Sequence, residues 1–290
     1  MKIVENFMFY NEFDILEIRL NIMGDHVDRF NIVETDRTHS GLPKDFNLEK
    51  QWDRYAKWHH KINYIKVSGF ESQPNAWDNE RANRNLATLG WDDLTDDDVV
   101  IISDCDEITR PEVLQYIRET NFDYYALKMP IFYFKFNYML TNDIDGFTVW
   151  PIAYRGVKTK GLVPSQMRRG WDETNNRDRS HFKNGVIVNH AGWHFSWFGD
   201  NEHIAKKIKS FAHTEFNNDN ILGDLNIDNC IERGDDHLKR GMVKWKKVKF
   251  DNYFPQYLLD NKEKYSTRIL DSDEPVTNFI GAPLMTVEGM

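Results

Sequence analysis

The sequence predicts an α/β fold: a mostly parallel central sheet flanked by helices. Two observations carry that expectation. Short apolar runs alternate with stretches of helical periodicity through the first 120 residues, the pattern of strand–helix–strand units in one parallel layer. One run, Val99-Val100-Ile101-Ile102, is β-branched throughout and reads as a strand buried on both faces. It ends abruptly in Ser103-Asp104-Cys105-Asp106-Glu107, and such sheets place functional groups beyond the carboxyl ends of their strands.

The elements follow in order. Residues 2–9 form a first strand, and Asn11 is placed to cap a helix whose Phe13, Leu16, Leu20 and Met23 fall at helical spacing. A second strand, 29–34, ends in Glu34-Thr35-Asp36, and 38–45, with Gly41 and Pro43, reads as a surface loop. A polar helix near 47–60 leads to a third strand, 62–67. Residues 76–90 read as helical up to Gly90, with Arg81 and Arg84 three apart on one face. After the acid-tipped strand, Thr109-Arg110-Pro111-Glu112 has the form of a capping box opening a helix over 111–118. Beyond 120 the chain becomes aromatic and strand-rich over 124–138 and again over 148–154. Residues 161–182, with Arg168, Arg169, Arg177 and Arg179, suggest a mobile basic loop over a site, against the plainer reading of a solvated surface loop. A strand at 186–188 runs into Asn189-His190-Ala191-Gly192-Trp193-His194-Phe195-Ser196-Trp197, followed by helices over 201–216, 225–233 and 255–265. The tail from Asp271 has little periodicity and reads as extended or partly disordered.

Composition narrows the function. The chain has 290 residues, 40% of them hydrophobic, enough for a large core. A net charge of −9 without a basic block excludes nucleic acid as a main partner. An acidic protein that handles a diphosphate must therefore gather its positive charge locally or borrow it from a metal. Two cysteines, Cys105 and Cys230, make no disulfide framework. With no signal peptide and no apolar run of membrane length, the expected localisation is cytoplasmic. There is neither Gly-x-Gly-x-x-Gly nor a P-loop to cradle phosphates. Two hard carboxylates two residues apart on an extended chain suit a divalent cation with coordination positions left for phosphate oxygens. The competing reading of Asp104 and Asp106 is an acidic turn that serves only the next helix.

Three separated stretches, taken together, resemble one family. They are Asn11–Leu20 with Gly24-Asp25-x-Val27-Asp28-x-Phe30, then Asp104-Cys105-Asp106-Glu107-Ile108, then Ala191-Gly192-Trp193-His194-x-Ser196-Trp197. The family is glycosyltransferase family 17, that of the β-1,4-mannosyl-glycoprotein N-acetylglucosaminyltransferases, and Pro255–Asn261 is similar to its C-terminal helix. The likeness spans roughly residues 5–265. It implies a single domain over 1–270 of the GT-A nucleotide-sugar type, with a nucleotide-binding half (1–120), a metal- and acceptor-completing half (121–270) and a tail (271–290). It implies Mn²⁺ (or Mg²⁺), UDP-GlcNAc as donor, a glycan acceptor, and inversion at the anomeric carbon. The chain departs from the family in two ways: Thr109 follows Ile108, with the proline displaced to 111, and the membrane anchor and stem are missing.

Within that frame Asp106 is the expected metal ligand, Asp104 bonds the ribose or a metal-bound water, and His194 is the third protein ligand, with His190 its competitor. Arg81 and Arg84 suit the diphosphate or brace the aspartates; a surface ion pair with Asp78 or Glu80 is the alternative. Asn11 and Glu34 are placed at the uridine and ribose, although capping is the stronger reading of Asn11. Inverting displacement needs a base for the acceptor hydroxyl. Glu202 is favoured over Asp200, with Glu215 in reserve, although an acidic first turn is what any helix prefers. Trp193 and Trp197 are candidates to stack on a sugar. Two other readings remain: a nucleotidyltransferase or nucleotide-sugar pyrophosphorylase, and a carbohydrate-binding protein without turnover.

Overall fold

The computed structural model describes residues 1–141, 151–157, 161–169, 184–241, 243–280 and 286–289. The first half alternates as the apolar runs predict: β1 (Ile3–Met8), α1 (Phe13–Met23), β2 (Arg29–Thr35), β3 (Ile62–Val67), α2 (Ala76–Asn85) and β4 (Val99–Ile102). Then come β5 (Glu107–Thr109), α3 (Pro111–Glu119), β6 (Tyr124–Leu127), β7 (Ile131–Tyr133), β8 (Tyr138–Leu140), β9 (Ile152–Arg155) and α4 (Pro164–Arg169). β10 (Gly185–Asn189), β11 (Gly192–Ser196), α5 (Asn201–Ser210), β12 (Trp245–Lys247) and β13 (Thr286–Gly289) follow.

The main sheet has eight strands in the order β13-β10-β6-β9-β4-β1-β2-β3. β9 runs antiparallel to both neighbours and β13 antiparallel to β10, while the other pairings are parallel. β4 lies inside the sheet between β1 and β9, which is why all four of its residues are apolar and buried. Register among the first three strands is pinned by polar side chains. Asn6, Asn31 and Asn63 face one another across β1, β2 and β3. Asn31 Nδ2 donates to Asn6 Oδ1 at 2.8 Å, Asn63 Nδ2 to Asn31 Oδ1 at 2.9 Å, and Trp91 Nε1 to Asn6 Oδ1 at 2.9 Å. A one-residue slip would break all three bonds. Gly90 leaves room for this row, since a Cβ there would lie 2.5 Å from the Asn31 side chain.

A second sheet of five strands, β12-β8-β7-β11-β5, is interleaved with the first along the chain. Its strand β5 begins directly after the acid tip, where the sequence suggests a helix cap. Thr109 is therefore a strand residue paired with Gly192, and the helix cap position falls to Arg110 without a side-chain bond. Other boundaries also shift. The stretch 47–61 is one helical turn followed by a 3₁₀ helix, and 76–90 splits into α2 and a 3₁₀ turn at Leu86. The tail contributes β13, which joins the main sheet beside β10. Of the expected strand at 148–154 and basic loop at 161–182, residues 148–150 and 170–182 lie outside the described residues, with Arg177 and Arg179 among them. Among the described residues, no helix is long and apolar enough to cross a membrane.

Candidate functional site

The acid tip of β4 is held by a buried cation. Arg19 sits on α1 among Ile15, Ile18 and Ile22, fully buried, with its guanidinium 4.2 Å from the Phe7 ring centre. Nε donates to Glu5 on β1 at 2.8 Å. Nη1 donates to the carbonyls of Asp104 (2.8 Å), Cys105 (3.2 Å) and Glu107 (3.0 Å), and Nη2 to Ser103 Oγ at 2.7 Å. One planar fork thus fixes four positions of the turn, 103, 104, 105 and 107. Cys105 packs inward, and burial pushes its thiol well above the usual range, as suits a spacer rather than a ligand.

The two aspartates then face a cavity of about 450 Å³, whose lining includes Tyr10, Glu12, His39, Arg84, Asp104, Asp106, Glu107, Arg168, His194 and Lys207. Asp104 accepts from Arg84 Nη1 at 2.8 Å and Arg168 Nη2 at 2.9 Å. Arg168 also clamps buried Glu107, at 2.6 and 2.7 Å, and Glu107 accepts from the Asp104 amide at 2.6 Å. Burial opposes ionisation of Asp104, but the Arg168 and Arg84 guanidiniums outweigh it and hold the carboxyl well below the usual carboxylate range. Asp106 faces Lys207 Nζ at 3.1 Å and His194 Nε2 at 3.5 Å. Burial works against all three charges, and their mutual attraction wins: Asp106 is shifted down, Lys207 and His194 up.

His194 reaches this place through β pairing. β11 runs antiparallel to β5 with His194 opposite Glu107, and the Phe195 amide donates to the Asp106 carbonyl at 2.8 Å. Asp106 and His194 together make a donor pair of the type that suits a divalent cation completed by phosphate oxygens. Among the described residues there is no cluster of three His, Cys, Asp or Glu side chains for a metal.

The structure brings Asp104, Asp106, His194, Arg81 and Arg84 to one cavity. Both arginines do double service: Arg81 pairs with Asp78, and Arg84 with Glu80 as well as Asp104. Other candidates lie elsewhere. Glu34 is fully buried and holds structure, accepting from Lys44, the Asn47 and Leu48 amides and the Tyr64 hydroxyl. Asn11 caps nothing: Glu12 occupies the cap position of α1, and Asn11 is buried beside a separate pocket of about 210 Å³. Trp193 is buried, donating to the Tyr253 carbonyl at 3.2 Å beneath Arg110, while Trp197 lines the cavity. Asp200 caps α5 through the His203 amide, and Glu202 is exposed in the first turn; neither lines the cavity. His190 sits in a left-handed turn, also outside it.

Sequence reasoning missed Arg19, Glu107 and Lys207 and took Arg168 for a loop residue. Arg19 carried a signal, a lone cation on an otherwise apolar helix face. Lys207 carried none, being one of three lysines in a surface helix.

The model of glycosyltransferase family 17 matches residues 1–154 of the chain, just over half of it. No curated protein sequence matches. Among solved structures, the crystal structure of S. aureus TarS 1-349 is similar at 15% identity, covering 79% of this chain and 68% of that one with a TM-score of 0.41.

Proposed function

The chain belongs to glycosyltransferase family 17, and from that premise we propose a metal-dependent inverting enzyme that moves N-acetylglucosamine from UDP-GlcNAc to a carbohydrate acceptor. The observation that carries this reading is the concentration of cations around the acid tip of β4. In a chain of net charge −9, the cavity is lined, among the described residues, by seven cations (Arg37, Lys44, Arg81, Arg84, Arg168, Lys207 and Arg240) against five acids (Glu12, Glu80, Asp104, Asp106 and Glu107). That is the local charge a leaving diphosphate requires. The GT-A label, the donor and the inversion come from the family likeness; the size and charge of the cavity bear on the diphosphate alone.

Asp106 and His194 are the residues that would hold a divalent cation, whose contribution when bound is to neutralise charge growing on the leaving phosphate. Arg84 and Arg168 orient Asp104 toward the same space, so that its carboxylate remains ionised. Lys207, drawn to Asp106, can turn to a phosphate oxygen without leaving the cavity. A pyrophosphorylase would use the same acids, but β1 passes into α1 without a glycine in residues 5–12. Incubation with UDP-GlcNAc, Mn²⁺ and an oligosaccharide mixture tests the reading. Release of UDP and a glycosylated product is expected; pyrophosphate as product, or no release with any UDP-sugar, overturns it.

A further inference from the structure

Transfer with inversion needs a base, and among the described residues four of the five carboxylates lining the cavity are paired with cations. Asp104 and Glu107 are held by arginines, Glu80 by Arg84 and Asp106 by Lys207. Glu12 turns one oxygen to the amides of Tyr10 and Asn11. A carboxylate held ionised by a cation has little tendency to take a proton. Two cavity histidines remain besides His194: His39 and His213. Of these, His213 has a carboxylate behind it. Its Nδ1 lies 2.7 Å from Glu215 Oε1, two residues on in the 3₁₀ turn Thr214–Phe216. An ionised carboxylate can only accept, so Nδ1 carries the proton, and in the neutral ring Nε2 has the lone pair. Both side chains are solvent-exposed, His213 at 46% and Glu215 at 58%; slight burial works against the Glu215 charge, and the His213 bond outweighs it and shifts the carboxyl downward. Trp77 packs edge-to-face on the ring with centroids 4.4 Å apart, and it lines the cavity as well.

We propose that His213 is the general base of the transfer and that Glu215 orients it. This rests on the glycosyl-transfer reading above. In the step, the acceptor hydroxyl oxygen forms its bond to the anomeric carbon while its proton passes to His213 Nε2. The bond from that carbon to the phosphate oxygen breaks, and its electron pair leaves with UDP. The imidazolium that forms is stabilised by Glu215, the division of labour of a histidine–carboxylate dyad.

The test compares wild type, His213→Gln, Glu215→Gln and His39→Gln, with UDP-GlcNAc, Mn²⁺ and the oligosaccharide mixture as probes. UDP release gives the rate, and calorimetry with UDP and Mn²⁺ gives donor-side affinity. General-base loss predicts a fall of about 100-fold or more for His213→Gln, about 10-fold for Glu215→Gln, and UDP affinity within about twofold of wild type in both. A His213→Gln rate within about threefold of wild type overturns the proposal, given the usual size of base catalysis. So does a parallel loss of UDP affinity, which would make His213 a donor-binding residue, or abolition by His39→Gln alone. A wild type that releases no UDP refutes the underlying functional reading, whereas an active wild type with an active His213→Gln refutes only this one.

Discussion

Arg19→Met is the most demanding test of how the acid turn is held. The side chain is fully buried and makes five hydrogen bonds: one to Glu5, three to carbonyls of residues 104, 105 and 107, and one to Ser103. Removing one partner of a buried ion pair costs about 3–5 kcal/mol, because the other charge is stranded. The four remaining acceptors lose a donor at roughly 1 kcal/mol each where water or relaxation compensates in part. The sum, about 7–9 kcal/mol, rivals the whole stability of an ordinary domain. Arg19→Met/Glu5→Met removes the stranded carboxylate and should recover about 3–5 kcal/mol while leaving the turn unsupported. Arg19→Lys, which keeps a charge beside Glu5 but cannot span the turn, should fall between them. Urea denaturation of these four proteins and of Glu5→Met gives the coupling, and hydrogen exchange at the amides of residues 104 and 107 reports the turn itself. A double variant no more stable than Arg19→Met would refute the buried-pair argument. Unchanged exchange at those amides in Arg19→Lys would refute the claim that the guanidinium shapes the site.

Three further outcomes are expected. Asp106→Ala should abolish metal-dependent UDP binding and turnover, and it also takes the carboxylate from Lys207 and His194; normal activity in that variant would remove Asp106 from the proposed metal site. Asn31→Leu breaks the row across β1, β2 and β3 and should cost about 1–3 kcal/mol in chemical denaturation, the penalty of orphaned buried amides; an unchanged midpoint would show that the row is incidental. Asp236 is buried against Arg240, at 2.6 and 2.8 Å, and beside His237. Burial works against its charge, but these partners hold its carboxyl far below the usual range. A depressed native value means stability that is present above the unfolded value of about 3.9 and lost as pH falls through the native one. The deficit of Asp236→Asn should therefore be full at pH 7 and shrink as pH falls below about 4, and a deficit independent of pH would contradict the assignment.

Much of this protein is legible one-dimensionally because burial on both faces writes itself into composition. The run Val99–Ile102 reveals an interior strand, and the abrupt acids after it reveal where that strand meets a cavity. Ile62–Val67 is likewise recovered with its ends intact. Chain order also suffices to bring Arg84 near the acid tip, since α2 leads into β4. What local sequence cannot express is competition among partners that are distant along the chain. Glu34 and Asn11 stand at strand ends, where ligands bind, yet Glu34 is saturated by Lys44, Tyr64 and two amides, and Asn11 turns to a different pocket. Asp200 and Glu202 read as well for a base as for a helix start; in the fold Asp200 caps α5 and Glu202 stands exposed in its first turn, outside the cavity lining. Lys207 and Arg168 reach the aspartates from 101 and 64 residues away. Local periodicity determined the layers and the acid tip. The charges that surround that tip were decided by tertiary packing, because an ion pair depends on distance in space and leaves no spacing in the chain to read.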